Sequence, residues 1–96
     1  MMAPIATKRT EKRREQRRRT SGRVVVRCPG PRARQIEGRL IDVSASGFRM
    51  AHAEASLEAG QVVEFTHQEA AGTARVMWNR IVDRNVETGF LLISRE

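Results

Sequence analysis

From residue 23 onward the chain alternates between short β-prone apolar runs and clusters of turn residues. "RVVVRC" (23–28) reads as a strand and "PGP" (29–31) as a turn or bulge. "RQIEGRLIDV" (34–43) is a second strand, "SASG" (44–47) its turn, and "FRMAH" (48–52) the antiparallel return. "AEASLEAG" (53–60) is a connection with room for one helical turn. "QVVEFTH" (61–67) is a strand and "QEAAG" (68–72) a hairpin loop. "TARVMWNRIV" (73–82) is a long strand, "DRN" (83–85) a tight turn and "VETGFLLI" (86–93) the last strand. Six strands at short, regular spacing with little helix predict an all-β fold, a small six-stranded antiparallel barrel, because closure removes sheet edges. Within "TARVMWN", period two puts Ala74, Val76 and Trp78 on one face and Arg75, Met77 and Asn79 on the other, so core packing is the expected role of Trp78.

The segment before residue 23 has no such pattern. Residues 1–10 read as a disordered tail and 11–22 as a flexible arginine-rich arm, since "TEKRREQRRRTSG" has no apolar face to dock. The barrel is expected over 23–96 as one domain, with little room for a deep enzymatic cleft. Charge sharpens this division. The net charge is +7, and residues 1–27 hold ten Lys or Arg against two acids, an excess of eight. Residues 28–96 hold eight Arg against nine acids, so the body is near neutral and the arm carries the whole positive excess. Such an arm suits an anion: nucleic acid, an acidic membrane face or a phosphate-bearing small molecule. The plain alternative is a solvated tail that aids solubility.

Other chemistry is thin. The lone cysteine, Cys28, excludes an internal disulfide and fits a reducing compartment. No stretch approaches the roughly 18 apolar residues of a membrane span, and the start "MMAPIATKRTEKRR" lacks a signal-peptide core, so a cytoplasmic location is expected. His52 and His67 lie in separate strands without ligands at metal spacing, so no metal site is expected and both are read as surface residues. There is no GxSxG, P-loop or GxGxxG, and no enzymatic activity is expected.

"DVSASG" (42–47) is the segment with potential. Asp42 and Ser44 are two apart, so on a strand both side chains point the same way. Gly47 is expected to take positive φ and turn the chain back. The result would be a carboxylate and a hydroxyl side by side at a barrel rim. A carboxylate can accept the N–H groups of a guanine edge, while an arginine fork can bind guanine O6 and N7, pair with phosphate, or stack on a base. An Asx- or ST-turn explains the same residues without a ligand.

"RREQRR" (13–18), two strands and then "DVSASG" together resemble the PilZ domain, whose motifs are RxxxR and [D/N]xSxxG. "GFRM" and the late "RVMW…ETGFLLI" pair are similar too, so the resemblance spans about residues 11–93. It implies a receptor for the bacterial second messenger cyclic di-GMP, with the arm wrapping the ligand and the second motif holding a guanine. Carried over by position, the ligand-binding residues are Arg14, Arg18, Asp42, Ser44 and Gly47, with Arg13 as the preceding arginine that resembles members binding two intercalated ligands. Arg13 and Arg17 also fit RxxxR. Trp78 lies where some members bring an aromatic to the ligand. No cofactor is implied beyond that ligand. Ordering of the arm would create a surface for a downstream effector protein. Two rivals stay open: a nucleic-acid-binding barrel with an arginine-rich arm, and an adaptor barrel that binds no ligand. The near-neutral body, with few aromatics for base stacking, counts against the first.

Overall fold

The computed structural model describes residues 16–31, 33–53 and 57–96. The tail expected over 1–10, the first part of the arm with Arg13 and Arg14, and residues 54–56 of the connection lie outside those residues; 57–60 form a turn and not a helix. All described elements are strands: β1 (Arg18–Arg19), β2 (Arg23–Cys28), β3 (Arg34–Ser44), β4 (Gly47–His52), β5 (Val62–His67), β6 (Ala70–Val82) and β7 (Asn85–Arg95). Every pairing is antiparallel. The order is β3-β2-β5-β6-β7-β4, with β4 returning to β3, so six strands close a barrel and β1 is added along β3 beside β2. Among the described residues no helix is long and apolar enough to cross a membrane.

The interior follows from strand alternation. β2 reads exposed, buried, half-buried in strict turn, with Val24, Val26 and Cys28 inside. All three phenylalanines meet there. Phe48 stacks on Phe90 with centroids 4.6 Å apart and tilts against Phe65 at 4.8 Å. Leu40, Met50, Val63 and Val76 complete a dry centre.

Two register shifts decide what faces outward. In β3 the pairing with β4 shifts between Leu40 and Asp42. Leu40 and Val43 therefore both reach the core, and Asp42 turns to the outer side instead of following Leu40 inward. In β6 the pairing with β7 shifts between Val76 and Trp78. Ala74 and Val76 are fully buried, but Trp78 is 38% exposed. The shared face expected for these three ends at Met77, because one extra residue inverts a period-two pattern.

Other expectations change as well. The arm is not free over its described part: Thr20 N–H donates to the Ile41 carbonyl and Leu40 N–H to the Gly22 carbonyl, so the chain runs along β3 before β2 begins. The loop expected over 68–72 shrinks to a turn at Gln68 and Glu69, because Ala70 to Gly72 already pair with β5. His52 is buried, not a surface residue: its Nε2 lies 2.7 Å from Thr88 Oγ1, and the Thr88 hydroxyl donates to Asn79 Oδ1 at 2.6 Å. His67 is half-buried at the barrel mouth, its ring 5.1 Å from Phe48. Gly47 has no positive φ. It is glycine because a Cβ would overlap the Phe90 carbonyl oxygen of β7, where β4 closes the barrel.

Candidate functional site

The short turn at Ala45 and Ser46 sets the register of the β3–β4 hairpin, pairing Ser44 with Gly47, Val43 with Phe48 and Asp42 with Arg49. That pairing extends across five strands on the outer face: Arg19 opposite Asp42, Asp42 opposite Arg49, Arg49 opposite Gly89, and Gly89 opposite Trp78. The Trp78 indole covers the place a Gly89 Cβ would take, so the ring leans across β7 toward the strand that bears Arg49. The Arg80 guanidinium lies 5.8 Å from the ring centroid.

Asp42 anchors this row. Its side chain is 4% exposed. Arg49 Nε donates to both carboxylate oxygens, at 3.0 and 2.9 Å, and Arg49 Nη2 also bonds Oδ2. Arg17 Nη1 reaches Oδ1 from the arm at 2.9 Å. Burial pushes the Asp42 carboxyl up, but the Arg49 and Arg17 guanidiniums outweigh it and hold it below the usual range. Bonding to Asp42 raises Arg49 further above its already high value, against burial.

The arm's arginine run is split by strand geometry. Arg19 pairs with Asp42 on the outer side, while Arg18 pairs with Val43 and faces the barrel mouth. There Arg18 grips Glu69 with both nitrogens, at 2.6 and 3.0 Å. A cavity of about 410 Å³ opens beside this pair, lined among others by Arg18, Ser44, Gly47, Phe65, His67 and Arg95. The Ser44 hydroxyl is buried and has no hydrogen-bond partner among the described residues. Such a group ordinarily finds one.

The structure thus brings together Arg18, Ser44 and Gly47 at the mouth and sets Asp42 on the adjoining outer face. Trp78 does not line the cavity but shares the row of Asp42. Arg17, not Arg18, meets the Asp42 carboxylate. Three participants were missed in the sequence: Arg17 as the partner of Asp42, Arg49 and Glu69. Arg49 was readable, since a two-residue turn between Ser44 and Gly47 forces Asp42 opposite Arg49. Glu69 was not, because its partner lies 51 positions away. Among the described residues no group of three His, Cys, Asp or Glu is placed to hold a metal ion.

These groups predict an acid-sensitive fold. Burial pushes the His67 imidazole down, Glu69 pulls it up, and Arg95 adds to the fall. A histidine whose folded pKa is depressed contributes stability fully present above its unfolded value of about 6.5 and lost as pH drops below it. Asp42, also depressed, contributes stability present above about 4 and lost as pH falls through its folded value. Melting temperature is expected to decline in two steps, below about pH 6.5 and again below about pH 4, and His67→Gln is expected to erase the upper step. A flat profile between pH 7 and 5 would contradict the assignment to His67.

Fold and site define a closed six-stranded antiparallel barrel with an arginine-bearing strand added at its rim. A family model for the PilZ domain matches residues 11–93, and the chain belongs to that family, which comprises binding domains and includes receptors for cyclic di-GMP. No curated protein matches the chain.

Proposed function

We propose that this protein is a cytoplasmic receptor for cyclic di-GMP and works by binding, not catalysis. The observation that carries the reading is the convergence of arm and rim: Arg17 and Arg18 meet Asp42 and the Ser44–Gly47 hairpin, although 24 positions separate Arg18 from Asp42. The ligand offers two guanines and two phosphates. Asp42 accepts the N–H groups of a guanine edge, as only a carboxylate held ionised can do well. The unsatisfied Ser44 hydroxyl supplies a further polar contact. Arg17 and Arg18, with Arg13 and Arg14, bind phosphate oxygens or the guanine O6 and N7 acceptors. Trp78, exposed on the row of Asp42, offers a face for a base to stack on. Gly47 contributes by letting β4 and β7 close together beneath the rim.

In the free protein the Arg17 and Arg18 guanidiniums of the arm are both engaged by protein carboxylates. Binding is therefore an exchange, in which guanidiniums move from Asp42 and Glu69 to the ligand and the arm is redrawn. The changed rim is the surface a downstream effector protein reads. The test is calorimetric titration with cyclic di-GMP at physiological salt, with GTP and a short oligonucleotide as controls. Saturable heat with cyclic di-GMP alone, and a matching change in the emission of the single tryptophan, are expected. Salt-sensitive binding of the oligonucleotide alone would replace this reading with the nucleic-acid one.

A further inference from the structure

The β5–β6 turn, which lies outside both arginine and aspartate motifs, presents an anion to the arm. Glu69 takes the Arg18 fork in bidentate fashion, the geometry in which a guanidinium also receives a phosphate. The turn that bears it is held from two sides. Glu69 N–H donates to His67 Nδ1 at 3.1 Å, and Gln68 Nε2 donates to Thr20 Oγ1 at 2.9 Å. The His67 bond and the β5–β6 pairing are independent of the arm and place the carboxylate at the edge of the cavity that Arg18, Ser44 and Arg95 also line, while Gln68 is a second tie to the arm. The pairing raises the Arg18 pKa and, through the same bond, lowers that of Glu69. The Arg27–Glu64 pair of the barrel wall differs. Arg27 and Glu64 meet at one contact of 3.5 Å on the wall of the barrel, between strands already laddered together.

We propose that Glu69 is an intramolecular stand-in for the ligand's phosphate: it occupies the Arg18 fork, latches the arm over the mouth in the free protein, and sets the affinity by having to be displaced. The inference rests on the receptor reading above. Both partners of the latch are solvent-exposed, so its weight is modest and it acts as a tuner, not a block. A ligand phosphate wins the exchange because the same molecule also engages the second arm guanidinium, that of Arg17, and adds its guanine contacts.

Glu69→Gln keeps the turn's shape and removes the competing charge. In calorimetric titration it is expected to tighten cyclic di-GMP about threefold to fivefold. Without ligand, it is expected to speed amide exchange at Thr20, whose N–H is held by the Ile41 carbonyl. Glu64→Gln is the control, since it changes the net charge by the same amount without touching the arm. Tightening in Glu69→Gln but not in Glu64→Gln, with faster Thr20 exchange, supports the latch. Equal tightening in both variants assigns the effect to net charge and overturns it. Wild-type binding with unchanged or weaker binding in Glu69→Gln overturns the latch alone, whereas no binding of cyclic di-GMP by the wild type overturns the receptor reading and the latch with it.

Discussion

Asp42→Ala is expected to abolish measurable binding of cyclic di-GMP and to lower stability by about 2 kcal/mol, a fall in melting temperature of about 10 °C. Both effects follow from one carboxylate. It is the acceptor proposed for the guanine edge, and it neutralises Arg49, a half-buried guanidinium whose Nε has no other hydrogen bond among those described. Removing one member of a buried pair leaves an uncompensated charge, which costs more than the pair contributed. Arg17, more exposed, is released to solvent at little cost. The double variant Asp42→Ala with Arg49→Ala separates the two effects. It is expected to recover much of the lost stability, because no charge is stranded, and to remain unable to bind. Chemical denaturation and ligand titration on the same samples make the comparison. Binding by either variant would exclude Asp42 as the guanine acceptor.

Gly47→Ala is expected to cost about 3 kcal/mol, at the upper end for overpacking. A Cβ there would overlap the Phe90 carbonyl oxygen, which is backbone and has no rotamer to change. Relief requires moving β7 away from β4 where Gly47 pairs with Leu91 and the barrel closes. The rim at Ser44, paired with Gly47, moves with it, so ligand affinity falls too. Gly60→Ala is the instructive contrast. Gly60 has open space around it but a φ of +94°, so its substitution strains the backbone alone and costs about 1 kcal/mol. Thermal melts of the two variants rank the mechanisms. Equal losses would mean that close approach is not what requires glycine at Gly47.

The pattern of alternating residues was enough to find six of the seven strands, nearly to the residue in β2 and β3. Local preference and period two act within a few residues, so they are written directly in the chain. The same reasoning placed Asp42 and Ser44 on one side, whereas in the barrel Asp42 is engaged by Arg49 and Arg17 on the outer face and Ser44 lines the cavity at the mouth. It failed for Trp78 because the second shift falls within "VMW", and a shift is a property of two paired strands. It failed for His52 because β4 runs between β3 and β7, and the hydroxyl that satisfies the ring, on Thr88, comes from 36 positions on. The β1 addition was invisible for a related reason. Arg18 and Arg19 have no apolar signal, and what holds the segment is the edge of β3, whose Asp42 binds the neighbouring Arg17, together with Glu69 of the β5–β6 turn on Arg18.

By itself, then, the sequence determined the fold class, the cationic arm and the residue types able to meet a guanine nucleotide, since composition and period two are local properties. Which arginine meets which carboxylate was decided only by tertiary structure. Strand alternation in β1 sends Arg18 to the mouth, while Arg17 reaches Asp42 on the outer face, and barrel closure carries Glu69 to meet Arg18. Such pairings arise from strand register across the closed sheet, and register is fixed by the packing of the Phe48, Phe65 and Phe90 core beneath it.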